Sequence, residues 1–526
     1  MKQSTSNKKV AVVGAGLVGS LEACYLAKRG YDVHLYEYRD DIRNMEHVPG
    51  RSINLAMSIR GRTGLKAVGV EEKIIREHGI PMYARMIHNR DGSTKAIPYN
   101  KDGKVGVRGS KRFVPPTPFL PSQGPYIDLV PNPKNNQRHL RAVRSAIYSV
   151  GRRFVNDWVL LTRAEEFPMS PFHFHHKLLT ADLERGKMTF LDTMSQDEVT
   201  VDADLMIGCD GAYSNMRKQM MKRPMFNYRQ QYIPHGYMEL CIPPGSDGNF
   251  QMPPNYLHIW PRGQYMMIAL PNQDKSWTVT LFMPFGIFNS LDTPEVLLDF
   301  FKTNYPDAIT LIGREKLIHD FFANKALPMI SVKCSPYHVG STSLLMGDAA
   351  HAMVPFYGQG MNCGMEDCVF LKEIMDKYES DERRCCPRTP STGTQTRRRS
   401  WTSPCTTTSR LVGWCVSIVV SVMRDLVNSK LFLLRKKWDD LLSRLLPRTW
   451  VPLYTMVTFS RERYHLCIAK KRWQDEMIGK LVKVSAVAGV ILGFFAAKTQ
   501  AAHAFSHSLV THLNSITTKT LDIAMR

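Results

Sequence analysis

The sequence has no cysteine framework. Its 11 cysteines are an odd number, and neither Cys385-Cys386 nor Cys363 with Cys368 has the spacing of a zinc site or a redox pair. Disulfide frameworks belong to small secreted domains, so reduced thiols in a cytosol-facing protein are expected. An apolar signal-peptide run is not seen either, so no secretory signal is expected: Met1 to Lys9 are polar and run straight into an apolar strand. No internal repeat is visible. Acids are scarce, 47 Asp plus Glu against 69 Lys plus Arg, for a net charge of +22 over 526 residues. With 44% hydrophobic residues, the chain is neither wholly disordered nor collagen-like. Its length suits roughly two to four domains and a core that needs no staples.

The shortage of acid first suggests a polyanion binder. Position removes that suggestion. Residues 103–146 carry eight basic residues and one acidic, 383–410 carry seven Arg and no acid, and 424–483 carry fourteen basic and six acidic. These stretches hold the whole excess and leave 40 residues of each sign elsewhere. No nucleic-acid partner is therefore expected. The Arg397-Arg398-Arg399 run is read as a solvated segment rather than a nucleic-acid or acidic-lipid patch.

Three motifs carry chemistry. The first is an apolar strand, Val10 to Val13, then Gly14-Ala15-Gly16-Leu17-Val18-Gly19 and an amphipathic helix to Lys28. A second strand, Asp32 to Tyr36, ends at Glu37. Gly14 permits a tight turn, Gly16 lets backbone approach a pyrophosphate, and Gly19 allows close helix–strand packing. The helix start offers N–H groups to phosphate, and Glu37 would accept from a ribose hydroxyl. The second motif is Asp210-Gly211 through Arg217, after the strand 204–208. The third is Gly347-Asp348-Ala349-Ala350-His351, continuing through Gly358-Gln359-Gly360-Met361-Asn362. Singly, each of the last two could be an ordinary strand-to-helix turn. His173, His175 and His176 lack a further ligand at metal spacing, so structural histidines and no metal site are expected.

In this order and spacing the three motifs resemble the FAD-dependent aromatic hydroxylases, the single-component flavoprotein monooxygenases. Gly50 to Ala56, Ile80-Pro81 with Ala84 to His88, Gln231 to Leu240, Asn255 to Arg262 and Pro452 to Arg461 narrow the resemblance to the animal branch that acts on kynurenine. It covers roughly 8–102, 147–380 and 424–500. The resemblance implies FAD as cofactor, NADPH and O2 as co-substrates, and hydroxylation of L-kynurenine to 3-hydroxykynurenine through a flavin C4a-hydroperoxide. No protein side chain is implied as catalytic. FAD contacts are implied at Gly14, Gly16, Val18, Gly19, Glu37, Arg39, Ala56, Arg152, Leu178, Asp210, Asn215, Asp348, Met361 and Asn362. The substrate carboxylate would lie on Arg85, with Tyr99 and Tyr454 as hydroxyl donors. A planar guanidinium suits that task.

The expected fold is α/β: a Rossmann-type FAD-binding domain, an antiparallel-sheet substrate domain, and a helical C-terminal region ending in a membrane anchor. The FAD-binding domain would take 8–102, 147–225 and 331–380, and the substrate sheet 226–330. The Pro-rich basic insertion 103–146 and the Arg/Ser/Thr segment 383–410 are expected to be disordered. Helices would fill 424–480. Val484–Ala497, 14 residues without charge, is shorter than the roughly 17–25 of a full span. With the residues before it, 481–497 is read as a marginal anchor, against a buried or interfacial helix. The resemblance would place it in the mitochondrial outer membrane, with the catalytic body facing the cytosol.

Residues 103–146 and 383–422 depart from the family pattern. Val419 stands where relatives place a substrate-binding Asn. The abrupt composition changes suit intron read-through or a frame shift, which transcript sequencing tests. They also motivate two rival readings: a membrane-tethered FAD-binding protein without hydroxylase activity, and a flavin monooxygenase acting on another aromatic substrate.

Overall fold

The computed structural model describes residues 8–44, 54–99, 147–151, 159–167, 171–384 and most of 438–480. The insertion 103–146, Arg152, the segment from 385 through Val419, and the expected anchor 481–497 lie outside the described residues. The chain divides into two compact units, Met1–His465 and Leu466–Arg526. In the second unit residues 466–480 are helical. Among the described residues no helix is long and apolar enough to cross a membrane.

The first unit opens with β1 (Lys9–Val13), α1 (Leu17–Lys28) and β2 (Asp32–Tyr36). Next come β3 (Asn54–Met57), α2 (Ile59–Ala67), β4 (Ile80–Met82), β5 (Ala84–His88), β6 (Thr94–Pro98) and β7 (Ile147–Gly151). An antiparallel trio, β8 (His176–Asp182), β9 (Lys187–Asp192) and β10 (Glu198–Asp202), precedes β11 (Leu205–Gly208) and α3 (Asn215–Met220). Then come β12 (Asn227–Ile242), β13 (Tyr256–Arg262), β14 (Tyr265–Pro271) and β15 (Trp277–Pro284). Helices α4 (Pro294–Asn304), α5 (Pro306–Ile312) and α6 (Arg314–Ala323) lead to β16 (Leu327–Ser335), β17 (His338–Val339) and β18 (Ser343–Leu345). The unit closes with α7 (Asp348–His351), α8 (Gly360–Arg384) and α9 (Leu453–Phe459).

The nucleotide sheet has the order β17-β18-β11-β1-β2, parallel except for its short β17 edge. Val10, Ala11, Val12 and Val13 of β1 are all buried, as a strand covered on both faces requires. Three strands running the same way put the glycine turn after β1, Glu37 after β2 and Asp210 after β11 at one end of the sheet. That carboxyl end is where ligands bind in open α/β folds.

The second large sheet has the order β16-β12-β15-β14-β13-β5-β6. It is mixed rather than purely antiparallel, because β5 runs parallel to β13, with Arg85 opposite Leu257. The β5–β6 hairpin comes from early in the chain and is added to the edge of the later meander. Alternation along the strands gives two distinct faces. Met238, Leu240, Trp260, Met267, Ala269, Val279 and Leu281 bury one face against Leu297, Phe301, Ala308 and Leu317 of α4–α6. The other face carries Leu257, Met266, Ile268, Leu270 and Phe282 into two smaller apolar groups with Phe356 and Tyr454.

Candidate active site

The glycine turn is built by contacts that only glycine allows at two of its positions. Gly14 sits at φ +100°, and a Cβ there would lie 2.6 Å from the carbonyl oxygen of Cys209. A Cβ on Gly19 would lie 1.8 Å from the Gly14 oxygen, so α1 rests directly on the turn. Gly16 differs: a Cβ there meets nothing within 4 Å. That open approach lies at the N-cap of α1, whose first turn holds no acid. Anions are favoured at such an end. Glu37 is buried, and its Oε2 accepts the Ala15 N–H at 2.8 Å while Oε1 accepts the N–H and Nε of Arg39 at 3.1 and 2.9 Å. The half-buried Val18 packs between Gly347 and Gly364, joining α1 to the third motif.

Asp210 is fixed from one side only. Its Oδ2 accepts the N–H groups of Asn215 and Met216 at 2.7 and 3.0 Å, and its buried Oδ1 has no hydrogen-bond partner among the described residues. Burial raises the carboxyl above its ordinary range, while the Ser214 hydroxyl first, and then the backbone N–H donors, pull it back. An acceptor buried without a partner is costly, so this oxygen marks where a ligand hydroxyl belongs. Asn215 donates through Nδ2 to the carbonyl of Leu178 at 3.0 Å, which sets the floor beside it.

Asp348 starts α7 and is exposed, directly after Gly347 at φ +59°. The turn behind it is held by Asp367 of α8, a residue the motif reading did not single out. Its Oδ2 accepts the Gly347 N–H at 2.9 Å and contacts His351 Nε2 at 2.6 Å. Burial opposes charge on His351, but Asp367 outweighs it and raises the imidazole pKa. The buried Arg217 then ties the two Asp-bearing turns together, donating to Ala212 O at 2.6 Å and Ala349 O at 2.8 Å.

The start of α8 is free of acid. Met361 is half-buried there, and Asn362 is fully buried with its side chain committed. Asn362 Oδ1 accepts the Ser58 N–H at 2.8 Å, and Nδ2 donates to Ala56 O and Gly358 O at 2.8 and 2.9 Å. With its side chain so used, Asn362 could meet a ligand only through its backbone N–H in the first turn. These residues fit FAD: an open glycine approach at Gly16, an orphaned carboxylate oxygen on Asp210, and two acid-free helix starts joined through Val18.

Arg85, Tyr99 and Tyr454 come together from three distant positions. On the β5–β6 hairpin Arg85 pairs with Ile97, and the Tyr99 N–H donates to Tyr83 O one step beyond. Arg85 and Tyr99 are therefore diagonal neighbours on one face, within reach for long side chains. The Arg85 guanidinium carbon lies 5.6 Å from the Tyr99 ring centre and 3.9 Å from that of Tyr454. Phe459 closes the group, 5.8 Å from Tyr99 and 6.2 Å from Tyr454. Burial pushes the Tyr99 hydroxyl far above the tyrosine range, with Tyr454 adding to the rise and Arg85 opposing it. Tyr99 is thus a hydroxyl donor and never an anion near neutral pH.

Beside this polar cluster the sheet face is apolar. Tyr237, Met266, Ile268 and Phe282 pack with Phe356, which is 5.1 Å from Phe282 and stands two residues before Gly358. Gly358 in turn approaches Ala56, a member of the Arg85 side's apolar group. The glycine loop before α8 thus lies between a cationic cluster and an aromatic wall. That wall was not anticipated, because alternation gives a strand's two faces without naming their neighbours. Among the described residues His173 stacks on Tyr36 and His34, His176 lies edge-on to His173, and His175 contacts Asp40.

The family described as "FAD binding domain" matches residues 7–383. A protein of Anopheles gambiae named kynurenine 3-monooxygenase is 47% identical over 481 residues, covering 91% of this chain and 88% of that one. The proteins of that name from Sus scrofa and Caenorhabditis elegans are 45% and 37% identical. They cover 89% and 92% of this chain and are themselves covered to 88% and 96%. Among solved structures, a tetrameric 2-methyl-3-hydroxypyridine-5-carboxylic acid oxygenase shares the fold at TM-score 0.56 and 16% identity, covering 81% of this chain and 94% of its own. Klebsiella pneumoniae HpxO complexed with FAD does so at 0.56 and 14%, covering 84% and 97%.

Proposed function

The chain belongs to the kynurenine 3-monooxygenase family of FAD-dependent monooxygenases, and from that premise we propose that it hydroxylates L-kynurenine to 3-hydroxykynurenine with NADPH and O2. The observation that carries this reading is the meeting of Arg85, Tyr99 and Tyr454 beside an aromatic wall and the glycine loop before α8. Bound FAD, reduced by NADPH, supplies the activated oxygen. Gly14, Gly16, Val18 and Gly19 would cradle its pyrophosphate, with Asp348 facing the same end. Glu37 and Arg39 would hold a ribose, and Asp210, supported by Asn215 and Leu178, a further hydroxyl. Ala56, Met361 and Asn362 would meet the ring system, and Arg152 is proposed beside them from family resemblance alone.

Arg85 would take the substrate carboxylate through two parallel N–H donors, with Tyr99 and Tyr454 donating from either side. The aryl amine makes the neighbouring ring carbon electron-rich, so the protein's task is to position the ring and exclude water. Met266, Ile268, Phe282 and Phe356 suit that task. A single glycine-rich dinucleotide motif in the sequence agrees with NADPH visiting rather than residing. The test uses purified full-length chain with NADPH, O2 and kynurenine. Formation of 3-hydroxykynurenine in step with NADPH oxidation is expected. Retained flavin with only peroxide formed, or no turnover, would overturn the reading in favour of a non-hydroxylating flavoprotein.

We also propose that residues 481–497 attach the chain to the mitochondrial outer membrane with its catalytic body facing the cytosol. The charge-free run flanked by Lys480 and Lys483 supports this. Extraction of the chain from isolated mitochondria by alkaline carbonate would argue against it.

A further inference from the structure

Arg60, in the first turn of α2, is fully buried, and no motif reading singled it out. Its three donor positions point to three different places. Nε donates to Val457 O at 2.8 Å, Nη2 to Glu462 O at 2.6 Å, and Nη1 to Glu366 Oε2 at 2.5 Å. The ring of Tyr464 lies 4.0 Å from the guanidinium carbon. Val457 O is among the last four carbonyls of α9, which no intrahelical N–H can satisfy. A cation at that end also meets the negative pole of the helix. Arg60 therefore caps α9 and grips the chain beyond it in one contact set.

Helix α9 carries Tyr454 and ends at Phe459, two of the side chains grouped around Arg85. Helix α2 is itself fixed to the proposed flavin end: the Ser58 N–H at its cap is held by Asn362, and Glu366 lies one turn further along α8. One buried guanidinium thus links α8 with the segment that completes the Arg85 cluster. The outer link between these parts, Arg461 to Glu373 at 2.7 Å, is solvent-exposed, where an ion pair holds little.

We infer that Arg60 is a positioning residue for substrate recognition: it sets α9 so that Tyr454 stays over Arg85 when the carboxylate arrives. The inference rests on the proposed role of Arg85, Tyr99 and Tyr454. Lysine cannot replace it, because one ammonium head cannot serve three acceptors in a planar fork.

The experiment uses full-length holoenzyme and two variants, Arg60→Lys and the charge-free pair Arg60→Met with Glu366→Met. The pair avoids leaving Glu366 buried and uncompensated. Substrate-stimulated NADPH oxidation is measured with kynurenine and with an aryl-ketone analogue lacking the carboxylate. Flavin absorbance is expected to persist in both variants. The KM for kynurenine is expected to rise about tenfold or more with kcat changed less than about threefold, while the analogue is handled as by wild type. Equal losses for both substrates, or an unchanged KM for kynurenine in a flavin-loaded variant, would overturn the inference. Arg85→Met is run beside them. If it also leaves kynurenine untouched, the carboxylate reading itself falls; if it abolishes stimulation while the Arg60 variants do not, only the positioning role falls.

Discussion

The two halves of the site are built by different means. On the nucleotide side the contacts come largely from backbone turns at the ends of parallel strands, each specified by a short consecutive stretch of sequence. On the substrate side they come from side chains at positions 85, 99 and 454, joined by a hairpin register, a parallel strand pair and a buried guanidinium. The first half depends on where glycine permits the chain to go. The second depends on which distant segments the fold brings into contact. Local motifs therefore survive alteration elsewhere in the chain, whereas an assembled cluster fails when any one of its supports moves.

The sharpest contrast is expected from Arg85→Met. Losing a guanidinium that meets a partly buried carboxylate costs about 3–4 kcal/mol, so kynurenine KM should rise some hundredfold or more with flavin retained. Steady-state NADPH oxidation with a flavin spectrum checks both terms. An unchanged KM would remove Arg85 from the substrate site.

Within the glycine motif two substitutions should separate folding from binding. Gly14→Ala forces a Cβ against the Cys209 carbonyl at a positive φ, which costs about 2–4 kcal/mol of stability and the flavin with it. Gly16→Ala puts its Cβ into open space, so the apoprotein's thermal unfolding should stay unchanged while FAD affinity falls roughly tenfold. Equal destabilisation by both would show that Gly16 is held by packing and not by a ligand.

A smaller effect is expected at Tyr454→Phe. One hydroxyl contact is worth about 1 kcal/mol, so KM should rise about fivefold with kcat unchanged. No change would leave Tyr454 with only its ring contact to Arg85.

The smallest effect concerns pH. Burial pushes Glu22 of α1 from 4.5 up to about 8, with Cys368 and Arg29 opposing the rise. The folded chain keeps a proton there that the unfolded chain releases, so stability falls as pH rises from about 4.5 to 8. Glu22→Gln should flatten that slope and narrow the gap in Tm between pH 5 and pH 8 by about a few degrees. A slope identical to wild type would assign the pH dependence to other groups, such as Glu239, pushed up to about 7.

The sequence made the nucleotide half legible because its requirements are steric and short-range: Gly14, Gly19, Glu37 and Asp210 stand where strand, turn and helix patterns demand. The mixed pairing of the second sheet was not legible, since the alternation in 84–88 says nothing of which strand lies alongside. Arg85 alone looked like any surface arginine, and only the family resemblance singled it out. Arg60 and Asp367 carried no signal at all. Each lies inside a helix, and its partners are remote backbone groups and one remote side chain, Glu366 for Arg60 and His351 for Asp367, that no periodicity reveals.

The early hairpin has a consequence for how the chain is made. Strands β5 and β6 leave the ribosome roughly 170 residues before β13, the strand that β5 must join. At about 5–20 residues per second, that open flank waits on the order of ten seconds or more. During that time β5 is an unpaired edge that other chains could template. Lys95 and Pro98 on β6 discourage such pairing on the hairpin's outer side. The inner side has only Arg85 and His88 as polar guards, so a nascent chain halted before residue 256 presents the strand bearing Arg85 as an open edge.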